Sequence, residues 1–223
     1  MTTPLKGIRR TAARRMVSAW QAPVFHLSTD VDMGAALAVK GTFPGATVTD
    51  GILAACAQAL ALHPAINAHY GDEAVTTFGQ VNLGLAVDTP AGLMVPVIKD
   101  AAGLDIPGLA AARKDLAQRA REGALSMADV TEGTFTVSNL GMMGIDGFDA
   151  ILNVPQVAIL AVGATREEYV RADPGSGGEA GTAADGGTWR PRARLTLTCD
   201  HRAVDGATGA RFLASVKEFL EAV

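Results

Sequence analysis

Strict alternation of apolar and polar residues marks one stretch near the end of the chain. Its apolar residues share one face: Ala193, Leu195, Leu197 and Cys199. Its polar residues share the other face: Arg192, Arg194, Thr196 and Thr198. A period of two residues predicts a half-buried β-strand. After a polar turn that ends at Gly206, apolar residues at helical spacing predict an amphipathic helix over 210–222: Phe212, Val216 and Leu220.

The same two periods predict the other elements and, with them, the fold class. Helices are expected over residues 8–20, 35–39, 49–62 and 106–122, and strands over 24–33, 74–78, 81–87, 93–98, 134–138 and 155–162. Turn residues at 88–92 predict a hairpin between two of the strands. Helices mixed with hairpins of this kind favour an α+β, two-layer domain.

Side chains at the helix ends predict where several helices begin and stop. Thr49 or Asp50 is expected to cap the third helix, and Asp105 the fourth, which Gly123 ends. The first helix is expected to turn one apolar face inward: Ile8, Ala12, Met16 and Trp20.

Composition narrows the class of protein. The 223 residues suffice for one sizeable domain, residues 1–223, and a net charge of −4 gives no reason to expect nucleic acid. No apolar run reaches membrane-spanning length and no signal-peptide pattern is present, so a cytoplasmic location is expected. Cys56 and Cys199 lie in apolar patterns and predict buried thiols rather than a disulfide. The low-complexity segment 172–187 is expected to be a mobile hairpin tip without chemistry.

Titratable residues concentrate where the alternating strand ends. His201 follows the strand directly, and Asp205 comes four residues later. Imidazole titrates near neutral pH, so a histidine fixed at a strand end suits a general base. His63 and His69 lack a ligand set, and no metal site is expected.

The string from Asp200 to Gly206 resembles the His-Arg-x-x-Asp-Gly signature of the dihydrolipoamide acyltransferases, the core components of 2-oxo acid dehydrogenase complexes. Those enzymes share their fold with chloramphenicol acetyltransferase. The resemblance continues through five other segments in the family's order: 6–16, 81–88, 92–98, 133–141 and 155–163. It implies a mixed sheet covered by helices on one side. It also implies a homotrimer with active sites between neighbouring subunits.

The resemblance also implies a reaction and assigns residues to it. The family moves an acyl group between the thiol of dihydrolipoamide and coenzyme A, both of them substrates. By resemblance His201 is the general base, and the Ser138 hydroxyl stabilises the oxyanion. Asp205 either orients the imidazole or pairs with Arg9 of the first helix in a supporting role, and the second is favoured.

Further residues fall where the family contacts coenzyme A: Thr47, Asp88, Asn139 and Gly163. The loop over 139–146 is most similar to acetyltransferases, so acetyl is the expected acyl group. Within it, Met142 and Met143 either line the acyl pocket or fill the core. No lipoyl or subunit-binding domain is recognisable, so the lipoyl group is expected from another domain or chain, alongside the dehydrogenase components of a complex.

Two other functions stay open. One is a stand-alone acyltransferase that uses acyl-CoA and a small acceptor; the other is a non-catalytic assembly core. The last predicted helix reaches Val223 without an apolar tail, so a trimer that assembles no further is expected.

Overall fold

A computed structural model describes residues 4, 7–171 and 187–223 of the chain. The segment predicted to be a hairpin tip, 172–187, lies outside the described residues except for Gly187, which begins a strand. The helices are α1 (Gly7–Ala19), α2 (Gly34–Thr42), α3 (Val48–Leu62), α4 (Ile106–Glu122) and α5 (Gly206–Ala222). The strands are β1 (Val24–Asp32), β2 (Ala68–Gly71), β3 (Ala74–Thr77), β4 (Leu83–Leu85), β5 (Val87–Thr89), β6 (Gly92–Met94), β7 (Val97–Ile98), β8 (Phe135–Asn139), β9 (Ala158–Val162), β10 (Arg166–Arg171) and β11 (Gly187–Asp200).

One mixed sheet organises the domain. Its strand order is β1-β11-β9-β8-β4-β7, and β10 pairs with the first part of β11. Strand β8 runs parallel to both β9 and β4, whereas β11 is antiparallel to β1 and β9. Two small antiparallel pairs, β2–β3 and β5–β6, lie outside this sheet. The predicted α+β class and mixed sheet are confirmed.

The sheet buries both of its faces, each in a different way. The apolar side chains of the alternating stretch in β11 join the main core with residues of α3 and α5, including Phe212, Val216 and Leu220. A loop over residues 148–154 covers part of the opposite face with a smaller apolar cluster. Thr196 and Thr198 are therefore buried as well, although the alternating pattern alone places them on a polar face.

Several element boundaries differ from the sequence prediction. Strand β2 was not expected, because four residues without alternation carry no period. The strand expected over 93–98 is divided into β6 and β7 around Pro96, since a proline cannot donate to the ladder. Trp20 of the expected inward face of α1 is 80% exposed, and the buried residue there is Ala19.

Helix caps confirm one prediction and correct another. Asp105 caps α4 by accepting the backbone N–H of Gly108, and Gly123 ends that helix with a φ of 70°. Thr47, rather than Thr49 or Asp50, is the N-cap of α3. No helix among the described residues is long and apolar enough to cross a membrane.

Candidate active site

His201 lies in the turn immediately after β11, at the edge of the sheet where β1 begins. Its backbone N–H donates to the carbonyl oxygen of Pro23 at 2.9 Å, and its ring packs against Phe25 with centroids 4.8 Å apart. The residue as a whole is exposed. A histidine held by its backbone and one ring face, with the other face open, can exchange a proton with a bound thiol.

The residues on either side of His201, Asp200 and Arg202, form an ion pair with each other. The carboxylate of Asp200, a residue only 2% exposed, accepts from the Arg202 guanidinium at 2.6 Å and from the Arg202 backbone N–H at 3.0 Å. This hydrogen bonding raises the pKa of Arg202 above its ordinary value. The guanidinium also lies 4.1 Å from the centroid of the Tyr70 ring, a cation–π distance. These contacts fix the turn that carries the imidazole.

Asp205 does not do what the sequence prediction favoured. Its carboxylate caps α5, accepting the backbone N–H of Thr208 at 2.7 Å. That hydrogen bond holds the pKa of Asp205 below its ordinary value. Arg9 lies instead beside Gly92, at the turn of the β5–β6 hairpin, and it forms no ion pair with Asp205 among the described residues. The expected Arg9–Asp205 pair is therefore absent within the described part of the chain.

Ser138 lies at the opposite end of the sheet from His201. It pairs with Ala161 of β9, which pairs in turn with Thr196 of β11. His201 comes five residues after Thr196, which corresponds to about 17 Å along the strand, with two strand spacings of about 5 Å across it. A single chain therefore does not bring the imidazole and the hydroxyl together.

A cavity of about 460 Å³ opens at the Ser138 end of the sheet. Its lining includes three of the four residues predicted to contact coenzyme A, namely Thr47, Asn139 and Gly163. The fourth, Asp88, is exposed in β5 opposite Leu93 and does not line this cavity. Most of the predicted binding set therefore converges from α3, β8 and the end of β9.

Local hydrogen bonds fix the walls of this cavity. The amide of Asn139 donates to Thr49 Oγ1 at 3.4 Å and accepts from the backbone N–H of Gly141 at 2.9 Å. At Gly163 a side chain would collide with the carbonyl oxygen of Asp146, so only glycine permits this approach of the two backbones. Met142 also lines the cavity.

Exposure and charge in and beside the cavity add two facts that the sequence did not give. Met142 and Met143 are 79% and 68% exposed, which excludes the interpretation that they fill the core. Lys40, near the end of α2, contributes a cation to the lining. Sequence reasoning missed Lys40 because α2 reaches the cavity only through packing on α3.

His63 and His69 have structural contacts. His63 Nε2 and Ser215 Oγ are 2.9 Å apart, and His69 Nε2 lies 2.9 Å from the carbonyl oxygen of Gly133. Within residues 7–171 and 187–223, no group of three or more histidine, cysteine, aspartate or glutamate residues is placed to hold a metal ion.

Comparison with other proteins gives consistent matches over the whole chain. The chain is 37% identical to the acetyltransferase component of the mitochondrial pyruvate dehydrogenase complex of Caenorhabditis elegans, over 98% of this chain and 44% of that protein. It is 36% identical to the corresponding component of Rickettsia bellii, over 98% of this chain and 52% of that protein. The chain thus spans about half the length of these relatives.

Solved structures match equally well. A probable dihydrolipoamide acetyltransferase of Listeria monocytogenes superposes with a TM-score of 0.88 at 30% identity, covering 100% of this chain and 94% of that one. The dihydrolipoamide acetyltransferase of Azotobacter vinelandii gives 0.88 at 29% identity, covering 99% and 91%. Chloramphenicol acetyltransferase, at 15% identity and a TM-score of 0.57, shares the fold.

The family model of the 2-oxoacid dehydrogenases acyltransferase catalytic domain matches residues 1–223. This chain belongs to the 2-oxoacid dehydrogenase acyltransferase family and comprises its catalytic domain.

Proposed function

We propose that this domain transfers an acetyl group between the thiol of dihydrolipoamide and coenzyme A, as the core of a 2-oxo acid dehydrogenase complex. The observation that carries the proposal is the placement of His201 at one end of the sheet and of Ser138, next to Asn139 in the cavity wall, at the opposite end. A neighbouring copy supplies the missing partner at each end. The relatives supporting it are acetyltransferase components of pyruvate dehydrogenase complexes.

The chemistry requires a base and an oxyanion donor. A free thiol with a pKa of about 8.5 is only a few per cent thiolate at neutral pH. His201 takes the thiol proton as the sulfur attacks the thioester carbonyl, and a new C–S bond forms. The Ser138 hydroxyl donates to the resulting oxyanion. Collapse breaks the other C–S bond, and the imidazolium returns its proton to the departing sulfur.

The catalytic assignment has support from one relative. The study of the Azotobacter vinelandii enzyme concerns the catalytic roles of a serine, a histidine and an asparagine that follows the histidine by four positions. In this chain Asp205 follows His201 by the same four positions, in place of the asparagine, and Ser138 is the serine that we assign to the same role. The carboxylate is then a cap that shapes the His201 turn.

Coenzyme A is assigned to the 460 Å³ cavity. The cation of Lys40 and the polar groups of Thr47 and Asn139 suit a ligand that carries phosphates and amides. Asp88 stays a predicted contact, outside the cavity. The lipoyl group comes from another domain or chain, and a cytoplasmic location fits two buried, unpaired cysteine thiols.

Mixed trimers test the proposal directly. His201→Ala and Ser138→Ala are each expected to lower acetyl transfer from acetyl-CoA to dihydrolipoamide at least a hundredfold. When both variants are co-expressed and co-assemble at random, about a quarter of the interfaces combine an intact histidine with an intact serine. Transfer is therefore expected to return to about a quarter of the parent rate in the mixed trimers.

Two controls accompany this assay. His63→Ala changes a histidine on the helical side of the sheet and is expected to leave transfer close to the parent rate. A panel of hydroxyl and amine acceptors tests the stand-alone acyltransferase alternative. Mixed trimers that stay inactive would contradict a site shared between copies, and a parent inactive with every acceptor would favour the assembly core.

A further inference from the structure

A fully buried carboxylate lies directly behind the cavity. Asp50, in the first turn of α3, is 0% exposed, and four donors surround it. Its Oδ2 accepts from the Thr47 backbone N–H at 2.7 Å and from Thr47 Oγ1 at 3.0 Å. Arg113 of α4 donates to both carboxylate oxygens, at 2.6 and 3.0 Å. The carboxylate is thus shared between a bidentate guanidinium and the residue that lines the cavity.

The direction of the Thr47 hydrogen bond follows from this geometry. A carboxylate paired with a guanidinium is ionised and can only accept hydrogen bonds. The Thr47 hydroxyl must therefore donate its proton to Asp50. Toward the cavity, Thr47 is left with lone-pair capacity alone, so it acts there as an acceptor and not as a donor.

The ion pair with Arg113 is not needed to start the helix. Thr47 is already a favourable N-cap residue, and a buried ion pair by itself contributes little net stability. The ion pair does affect the cavity, because it keeps Asp50 ionised and the Thr47 hydroxyl then donates its only proton to that carboxylate. Arg113 also anchors α4 to the first turn of α3, so the acceptor keeps its position.

We propose that Asp50, held by Arg113, is a positioning residue that makes Thr47 accept a hydrogen bond from an N–H donor of coenzyme A. This inference rests on the proposed function, since it takes coenzyme A as the ligand. Coenzyme A offers such donors in the secondary amides of its pantetheine arm and in the amino group of its adenine. The arm amide nearest the thiol is the partner, because the cavity that Thr47 lines is also lined by Asn139, the residue that follows Ser138 in β8.

The chain contains a matched control for this arrangement. Asp129 accepts from the Ser126 backbone N–H and hydroxyl, both at 2.7 Å, and from Arg119 at 2.6 and 3.0 Å. A hydroxyl residue, an aspartate and an arginine thus form a similar set of hydrogen bonds at the C-terminal end of α4, with serine in place of threonine. Asp129 does not line the cavity, so changes there report only the structural part of such a cluster.

Calorimetric titration of the full chain with coenzyme A, and with an analogue whose amide nearest the thiol is an ester, tests the hydrogen bond itself. Loss of the N–H donor is expected to weaken binding to the parent about tenfold. Thr47→Val removes the acceptor at nearly constant shape. The variant should therefore have the same affinity for coenzyme A and for the ester analogue, and this affinity should be about tenfold lower than that of the parent for coenzyme A. Thr47→Ser keeps the hydroxyl and should resemble the parent.

Asp50→Leu tests the role of the carboxylate. Leucine cannot accept from Thr47, so the hydroxyl proton is no longer committed and the hydroxyl loses the partner that fixes its position. Affinity for coenzyme A is expected to fall about tenfold, with kcat at saturating coenzyme A unchanged. The double variant with Thr47→Val should be no weaker than either single variant, since both act through one hydrogen bond. Asp129→Leu should leave affinity unchanged.

Several outcomes would overturn the inference. Additive losses in the double variant, about a hundredfold, would make Asp50 merely structural, as would an equal loss in Asp129→Leu. If Asp50→Leu fails to fold, the ester analogue still decides: equal affinity of the parent for both ligands excludes the amide as the partner of Thr47. A different result would contradict the proposed function alone: the parent and variants bind coenzyme A in the expected pattern, yet the parent transfers no acetyl group to dihydrolipoamide.

Discussion

His201 and Ser138 differ in how far hydrogen bonds and packing contacts fix them. The turn around His201 is fixed by contacts of Asp200, Arg202 and Pro23, and one face of the ring packs on Phe25, so that only the other ring face is open. The Ser138 hydroxyl, by contrast, has no hydrogen-bond partner among the described residues. A serine at a strand end commonly bonds its own backbone, and this one does not. It is therefore free to donate to a bound molecule, as the proposed oxyanion role requires.

Ser138→Ala separates this role from substrate binding. Loss of one oxyanion donor is expected to lower kcat about 10²–10³-fold, whereas the affinity for coenzyme A should hold because the cavity walls are unchanged. Steady-state kinetics and calorimetry on the same preparation measure the two quantities. Ser28→Ala is the control, since Ser28 lies in the same cross-strand row and bonds Thr196 at 3.0 Å. Weakened binding with preserved kcat would instead make Ser138 a binding residue.

The two thiols are predicted to be inert in the folded protein. Burial raises the pKa of Cys56 to about 12, and burial together with the charge of Asp200 raises that of Cys199 to about 12. Only the thiolate is nucleophilic, so at pH 8 neither side chain should react with a chromogenic disulfide reagent until the protein unfolds. Reaction should become faster as pH rises toward those pKa values. Rapid labelling of the native protein at pH 8 would contradict the burial of both residues.

At the scale of elements, α5 connects the core to the His201 turn. Phe212 and Val216 anchor the helix in the core, and Asp205 caps its N-terminus four residues after His201. A cap side chain that accepts a backbone N–H stabilises the first turn of a helix. The geometry of the helix start therefore affects the loop that carries His201, the proposed base.

The thermal stability of Asp205 variants is expected to depend on whether the new side chain can cap α5. Asp205→Ala should lower the melting temperature by about 2–4 °C, whereas Asp205→Asn should change it little, because asparagine caps equally well. The pKa of Asp205 is lower in the folded protein than in the unfolded chain, so its negative charge contributes to the free energy of unfolding. This contribution is fully present above the ordinary aspartate pKa and is lost as pH falls through the lowered pKa. The difference in melting temperature between the alanine variant and the parent should therefore shrink in acid. An equal loss in both variants at neutral pH would implicate the charge rather than the cap.

At the scale of the whole molecule, the cavity residues lie together, whereas the two residues proposed for catalysis lie far apart. The residues of the 460 Å³ cavity come from one chain, but His201 and Ser138 of that chain lie at opposite ends of the sheet. Under the proposed function, a solitary subunit has a cavity for coenzyme A but does not bring His201 and Ser138 together. The proposal therefore requires association of copies to complete the active site.

Dilution provides a test at this scale. As the oligomer dissociates, turnover per subunit should fall toward zero, while each subunit still binds coenzyme A because its cavity is intact. Light scattering at each concentration gives the oligomeric state, and fluorescence titration gives the affinity. Constant turnover in a preparation shown to be monomeric would place both catalytic groups in one chain.

The sequence alone determined the features that depend on local period and cap chemistry. Alternation in β11, the apolar spacing in α5 and the cap pair Asp105 and Gly123 predict elements that the structure confirms, because each depends on residues close together in the chain. The motif around His201 likewise indicated the family, since it is a contiguous string.

Tertiary structure decided everything that depends on strand register and on packing between distant segments. The parallel pairing of β8 with β9 separates Ser138 from His201, and no local pattern encodes that pairing. The same holds for the Asp50–Arg113 ion pair, whose members are 63 residues apart, and for Lys40 in the cavity wall. Sequence period fixes which side of an element faces the core, whereas only the assembled sheet fixes which side chains become neighbours.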